Sequence, residues 1–88
     1  IHPGLEGAEL ADSDPGNPEM GGRPGVFVLS VEPGSPAHQR QLRAGDVIVA
    51  VNRTRVTSVA DFREAAQGSP SLLLSIRRGN TTLLLPIR

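Results

Sequence analysis

The sequence contains no cysteine, lysine, tryptophan or tyrosine. Without cysteine there is no disulfide framework, no cysteine-based zinc site and no thiol nucleophile, and the redox compartment cannot be read from cysteine usage. Aromatic rings are limited to Phe27 and Phe62, and 9 arginines balance 9 acids to a formal net charge of zero. Nucleic-acid binding needs a cationic footprint and usually stacking rings, so no nucleic-acid partner is expected. The longest apolar run, Val47 to Val51, falls far short of the ~20 residues that cross a bilayer, so no membrane insertion is expected either. Neither Gly-x-Ser-x-Gly nor Gly-Asn-Ser-Gly-Gly occurs, so no serine is marked as a nucleophile. His2 and His38 are far apart in sequence and read as surface residues, and Asp12-Ser13-Asp14 matches only the first positions of a calcium loop. The expectation is a chain with no catalytic residues, no metal and no cofactor.

At 88 residues and 9.3 kDa there is room for a single domain over residues 1–88. The first residue is Ile1 rather than Met and no signal-peptide pattern is present, so the chain reads as a piece of a longer polypeptide. Leu5 to Leu10 alternates around Gly7 and reads as a short strand or strand-loop. A glycine inside a strand marks either a bulge or a place where another backbone comes close. Ala11 to Arg23 is rich in proline, glycine and acids, with Met20 its only large apolar residue, and reads as a mobile surface loop reaching to about residue 24.

Gly25 to Val31 is apolar in both registers and predicts a central strand buried on both faces. Ser35 and Pro36 then form an N-cap and first helical position, opening about two turns of helix that run to Gln41, and Arg43 to Asp46 end it. Val47 to Val51 predicts a second buried strand, and Asn52 to Arg55 a tight polar turn. Ser58 with Asp61 makes a variant capping box for a helix whose apolar face is Val59, Phe62, Ala65 and Ala66, stopped by Gly68 and Pro70. Two strand patterns flank Gly79-Asn80, a two-residue hairpin turn. The expected core includes Val28, Leu42, Ile48, Val49 and Ile76.

Gly34-Ser35-Pro36-Ala37, followed by Leu42-Arg43-Ala44-Gly45-Asp46-Val47-Ile48-Val49-Ala50-Val51-Asn52, closely resembles the GSPA…GL..GD.I..VNG signature of bacterial PDZ domains. Within that group, Leu5 to Leu10 and Arg77-Arg78-Gly79-Asn80 look like the second, C-terminal PDZ domain of HtrA/Deg (Do-like) serine proteases. The resemblance covers essentially the whole chain and is loosest from Ala11 to Arg23. It implies a mainly β fold with two helices (α+β), a PDZ-like compact β-barrel or sandwich of the circularly permuted bacterial type.

It also implies a non-catalytic module that binds polypeptide C-termini or unfolded, extended segments by strand addition. The peptide-binding residues would be Leu5, Glu6, Gly7, Ala8, Glu9 and Leu10, with Phe62 and Ala66 on the facing helix. The resemblance favours ligand approach as the reason for Gly7, and leaves Phe62 open between core and groove. Glu6 departs from the pattern, standing where an apolar residue is wanted and placing a negative charge beside the expected carboxylate site. The parent would be a periplasmic serine endopeptidase of protein quality control, regulated by this module, with its other domains and subunits as further partners. Two alternatives accompany this reading: a subunit-docking module for oligomer or cage assembly, and the PDZ domain of an intramembrane protease or secretion protein. An independent hydrolase lacks its nucleophile constellation.

Overall fold

The computed structural model describes residues 5–13, 16, 24–68 and 71–87. Their elements run in the order β1 (Ala8–Asp12), β2 (Val26–Val31), α1 (Pro36–Gln39), β3 (Val47–Val51), β4 (Thr54–Arg55), α2 (Val59–Ala66), β5 (Leu72–Arg78) and β6 (Thr81–Ile87). All strand pairings are antiparallel. The sheet order is β1-β2-β3-β5-β6, with β4 attached to β3 off that path. The fold is mainly β with two helices, as expected, but the sheet is open: among the described residues β1 and β6 each have a neighbour on one side only.

Local signals account for most element ends. The Ser35 hydroxyl accepts the His38 N–H (3.2 Å) with Pro36 in the first turn, so α1 starts where a cap and a pre-set φ coincide. The helix spans only Pro36 to Gln39, one turn rather than two, because Gln41 already has a left-handed φ of +69°. The Ser58 hydroxyl caps α2 by accepting the Asp61 N–H (3.1 Å). The Asp61 carboxylate reaches back past Ser58 to Thr57, taking its N–H (3.1 Å) and hydroxyl (2.8 Å). Arg78 pairs directly with Thr81, which leaves Gly79-Asn80 as a two-residue turn, and only Gly79 uses a positive φ (+62°).

Between the sheet and α2 lies the core, in which Val28, Leu42, Ile48, Phe62, Leu74, Ile76 and Ile87 are fully enclosed. Two expectations need correction. Val49 is only half-buried, because the register with β5 shifts between Ile48 and Ala50 and breaks the inward-outward alternation. The second concerns β2, which is not buried on both faces: Val26 and Val28 are, but Leu29 is 47% exposed. β2 pairs with β3 only through Val26 and Phe27, and Val28 turns instead to the loop before β3, donating to the Asp46 carbonyl and accepting from the Gly45 N–H.

The reading of residues 11–23 as a mobile loop lies largely outside the described residues, as do Met20 and His2. Ala11 and Asp12, however, belong to β1, opposite Phe27 and Val26. Ser13 is buried and its N–H donates to the Gly25 carbonyl (2.9 Å).

Candidate peptide-binding site

β1 is an edge strand, so its outer backbone groups face no other strand among the described residues. α2 packs beside it and against β3. The two walls are joined by the Asp12 carboxylate, which accepts the Val59 N–H at 2.7 Å and so satisfies one orphan donor of the first helical turn. Ala8 and Leu10 of β1, and Val59 and Ala65 of α2, are partly buried against the core. Together they leave a strand edge beside an apolar helix face, the geometry into which an extended peptide can add as a further strand.

Just before β1 the chain turns through Leu5, Glu6 and Gly7. Leu5 is buried in the core and anchors the turn. The Glu6 carbonyl accepts the Ala37 N–H (3.1 Å) and the Gly7 carbonyl accepts the Glu32 N–H (2.9 Å), so both carbonyls are committed inward. Among the described residues the N–H groups of Glu6 and Gly7 meet no acceptor. Gly7 has a φ of +96°, and a Cβ there would collide with the Cβ and Oγ of Ser35. The glycine is therefore required by its own fold, through close approach of a side chain. The irregularity in β1 falls between Glu9 and Leu10 instead.

The sequence-predicted residues come together only in part. Leu5 to Leu10 form the turn and the first half of β1, and Ala66 lies at the end of α2 with 8% exposure. Phe62 is wholly enclosed and belongs to the core cluster. Glu6 is exposed and shares a cleft of about 300 Å³ with Glu32, Gly7 and the Pro33–Pro36 turn. Among the described residues no cation lines that cleft.

Sequence reasoning missed Asp12, whose partner is 47 positions away, and the ion pair between buried Asp46 and partly exposed Arg78. Asp46, 1% exposed, takes the Nε and Nη2 of Arg78 (2.8 and 2.7 Å) and the Arg43 N–H (3.0 Å). This bidentate pairing raises the guanidinium pKa of Arg78 and ties the end of β5 to the α1–β3 loop. A usable signal was the acid of the Gly45-Asp46 turn, since an acid that opens a buried strand needs a cation.

Among the described residues nothing resembles a hydrolytic centre. The Ser35 hydroxyl is used as a helix cap, and the His38 Nδ1 accepts the Gly34 N–H (3.2 Å), so the ring is not aimed at a serine.

Residues 27–78 match the family model described as PDZ domain. The chain belongs to the PDZ domain family. This PDZ domain is 43% identical, over 89 aligned residues and 100% of its length, to the periplasmic pH-dependent serine endoprotease DegQ of Escherichia coli, of which it covers 19%. It is 38% identical to the human serine protease HTRA3 over 90% of its length and 17% of that protein. The chain thus spans less than a fifth of the length of these curated relatives. Among solved structures, the HtrA3 PDZ domain bound to the phage-derived ligand FGRWV superposes with a TM-score of 0.78 and 31% identity, over 92% of this chain and 79% of that one. The chain is a PDZ domain of the kind carried by HtrA serine proteases, a peptide-binding module and not a protease domain.

Proposed function

We propose that the domain binds extended peptides as an added strand along the outer edge of β1, with a free C-terminus directed at the Glu6–Gly7 turn and side chains lying against α2. The observation that carries this is the edge of β1, unpaired among the described residues, next to an apolar helix face and preceded by a turn whose N–H groups meet no acceptor among those residues. The peptide-binding residues are then Leu5 to Leu10 and Ala66, with Phe62 in the core. Glu6 and Glu32 beside the turn oppose a third carboxylate, so affinity is weak, with a Kd no tighter than ~10 μM. The domain acts within a longer serine endopeptidase of the HtrA type as a regulatory module, in the periplasm and in protein quality control. That reading rests on likeness to DegQ.

The test is amide-shift mapping by NMR with the peptide FGRWV. Shifts are expected at Glu6 to Leu10 and along Val59 to Ala66, and Glu6→Leu tightens binding several-fold by removing a like charge. Shifts confined to other residues, or weaker binding in a folded Glu6→Leu variant, would replace this reading with docking between subunits.

A further inference from the structure

Arg53, Arg55 and Arg77 line a single cleft of about 440 Å³, completed by Pro24, Val49 and Ala50. None of these residues belongs to β1 or α2. The cleft is built by the irregularity in β3 that leaves Val49 half-buried and by a firmly held turn. Asn52 donates its N–H to the Leu73 carbonyl (2.9 Å) and accepts the Leu73 N–H on its side-chain oxygen (2.8 Å), which fixes the β3–β4 turn against β5.

Like charges gathered in one cleft repel. Among the described residues none of the three arginines forms an ion pair. Asp61 and Glu64 share a neighbouring cleft with Arg55, yet Asp61 is engaged by Thr57 and neither acid pairs with the arginine. Arg77 donates Nη1 to the Thr82 hydroxyl (2.9 Å), while its Nε is buried without an acceptor. A buried donor without a partner is costly, so holding Arg77 in this position works against local stability. Arg53 holds a φ of +69° next to Asn52 at +49°, a conformation that glycine adopts at least cost. An arginine at that position works against local backbone preference, as residues do where a site needs their side chain.

We propose that this cleft is a second binding site, taking the carboxylates of an acidic segment of a partner polypeptide. Guanidinium forks pair with carboxylates in bidentate fashion, and the floor of Val49, Ala50 and Pro24 accepts the methylenes of acidic side chains. A phosphate polymer would call for a broader cationic face, which a chain of zero net charge does not offer.

The experiment titrates the protein with acetyl-hexaglutamate amide, whose blocked ends present no free C-terminus to the groove. The Arg77 Nε–H resonance and the amides from Val49 to Arg55 shift, those from Leu5 to Leu10 do not, and added salt weakens the effect. The Arg53→Gln/Arg55→Gln double variant, altered only at exposed positions, binds about tenfold more weakly, whereas Arg63→Gln on α2 changes nothing. Arg53→Gly relaxes the turn, so its thermal midpoint rises while its affinity falls about threefold. Full affinity in the double variant, or tighter binding of a thymidine oligonucleotide of the same charge, overturns the proposal.

Discussion

The two open edges of the sheet offer an incoming strand very different receptions. β1 has 5 residues, contains no proline and lies beside α2. β6 has 7 residues, all paired with β5, and carries Pro86. Proline is tolerated in a sheet only where its missing donor faces away from the neighbouring strand, so the outer edge of β6 lacks an N–H that an added strand would need. That gap matters because Leu84 on β6 is 62% exposed, and a long apolar edge without a defect would invite pairing between molecules. On the proposed reading, recognition and protection fall at opposite ends of one sheet.

The largest effect is expected from disturbing the turn that leads into β1. Gly7→Ala combines a positive φ with a collision against Ser35, and is expected to cost about 2–4 kcal/mol with loss of peptide binding. Gly34→Ala provides the control: its φ is +79° but its Cβ would point into open space, so only about 1 kcal/mol is expected. Urea midpoints give both values. Equal effects in the two variants would show that packing against Ser35 does not shape the β1 edge.

Asp12→Ala tests the strut between β1 and α2. Losing the acceptor of the Val59 N–H should cost about 1 kcal/mol, speed hydrogen exchange at Val59 to Asp61, and weaken peptide binding while leaving the β5–β6 hairpin untouched. On the opposite edge, Pro86→Val restores a donor. Stability should change by no more than about 0.5 kcal/mol and peptide affinity not at all, but sedimentation at high concentration should reveal self-association. A variant that stays monomeric would mean that the proline is not what guards β6.

Legibility in the sequence follows how local each determinant is. Ser35-Pro36, Ser58 and Gly79 announce their elements because a cap or a turn is decided within a few residues. Leu42, Ile48 and Ile76 are in the core because apolar patterning places them there. Val49 escapes the pattern because a register shift between neighbouring strands re-aims it, and no alternation rule sees the partner strand. Gly7 was legible as unusual but not in its cause, since Ser35 is distant in sequence. The groove is half legible: the family pattern carries the turn and strand, whereas Asp12 reads as part of a loop because its acceptor role depends on α2. The arginine cleft draws on separate stretches of chain around residues 24, 50 and 77, and no motif spans them.

The smallest expected effect is that of pH on the groove side. Asp61 receives the Thr57 hydroxyl and then the Thr57 N–H on its carboxylate, which holds its pKa below the ordinary aspartate value of 3.8. A carboxylate depressed in the folded state contributes stability that is fully present above the unfolded value and is lost as pH falls through the lower, folded one. The contribution is therefore complete at neutral pH and disappears only on acidification beneath 3.8. Because Asp61 is fully exposed the effect is slight, but its place at the start of α2 gives it a direction: acid should loosen the helix that faces β1 before the hairpin at the other end. Hydrogen exchange across the acid range reads this out, with Asp61→Asn abolishing the difference. Earlier loss of protection at Arg77 to Leu83 than at Val59 to Phe62 would reverse the assignment of the two edges' sensitivity.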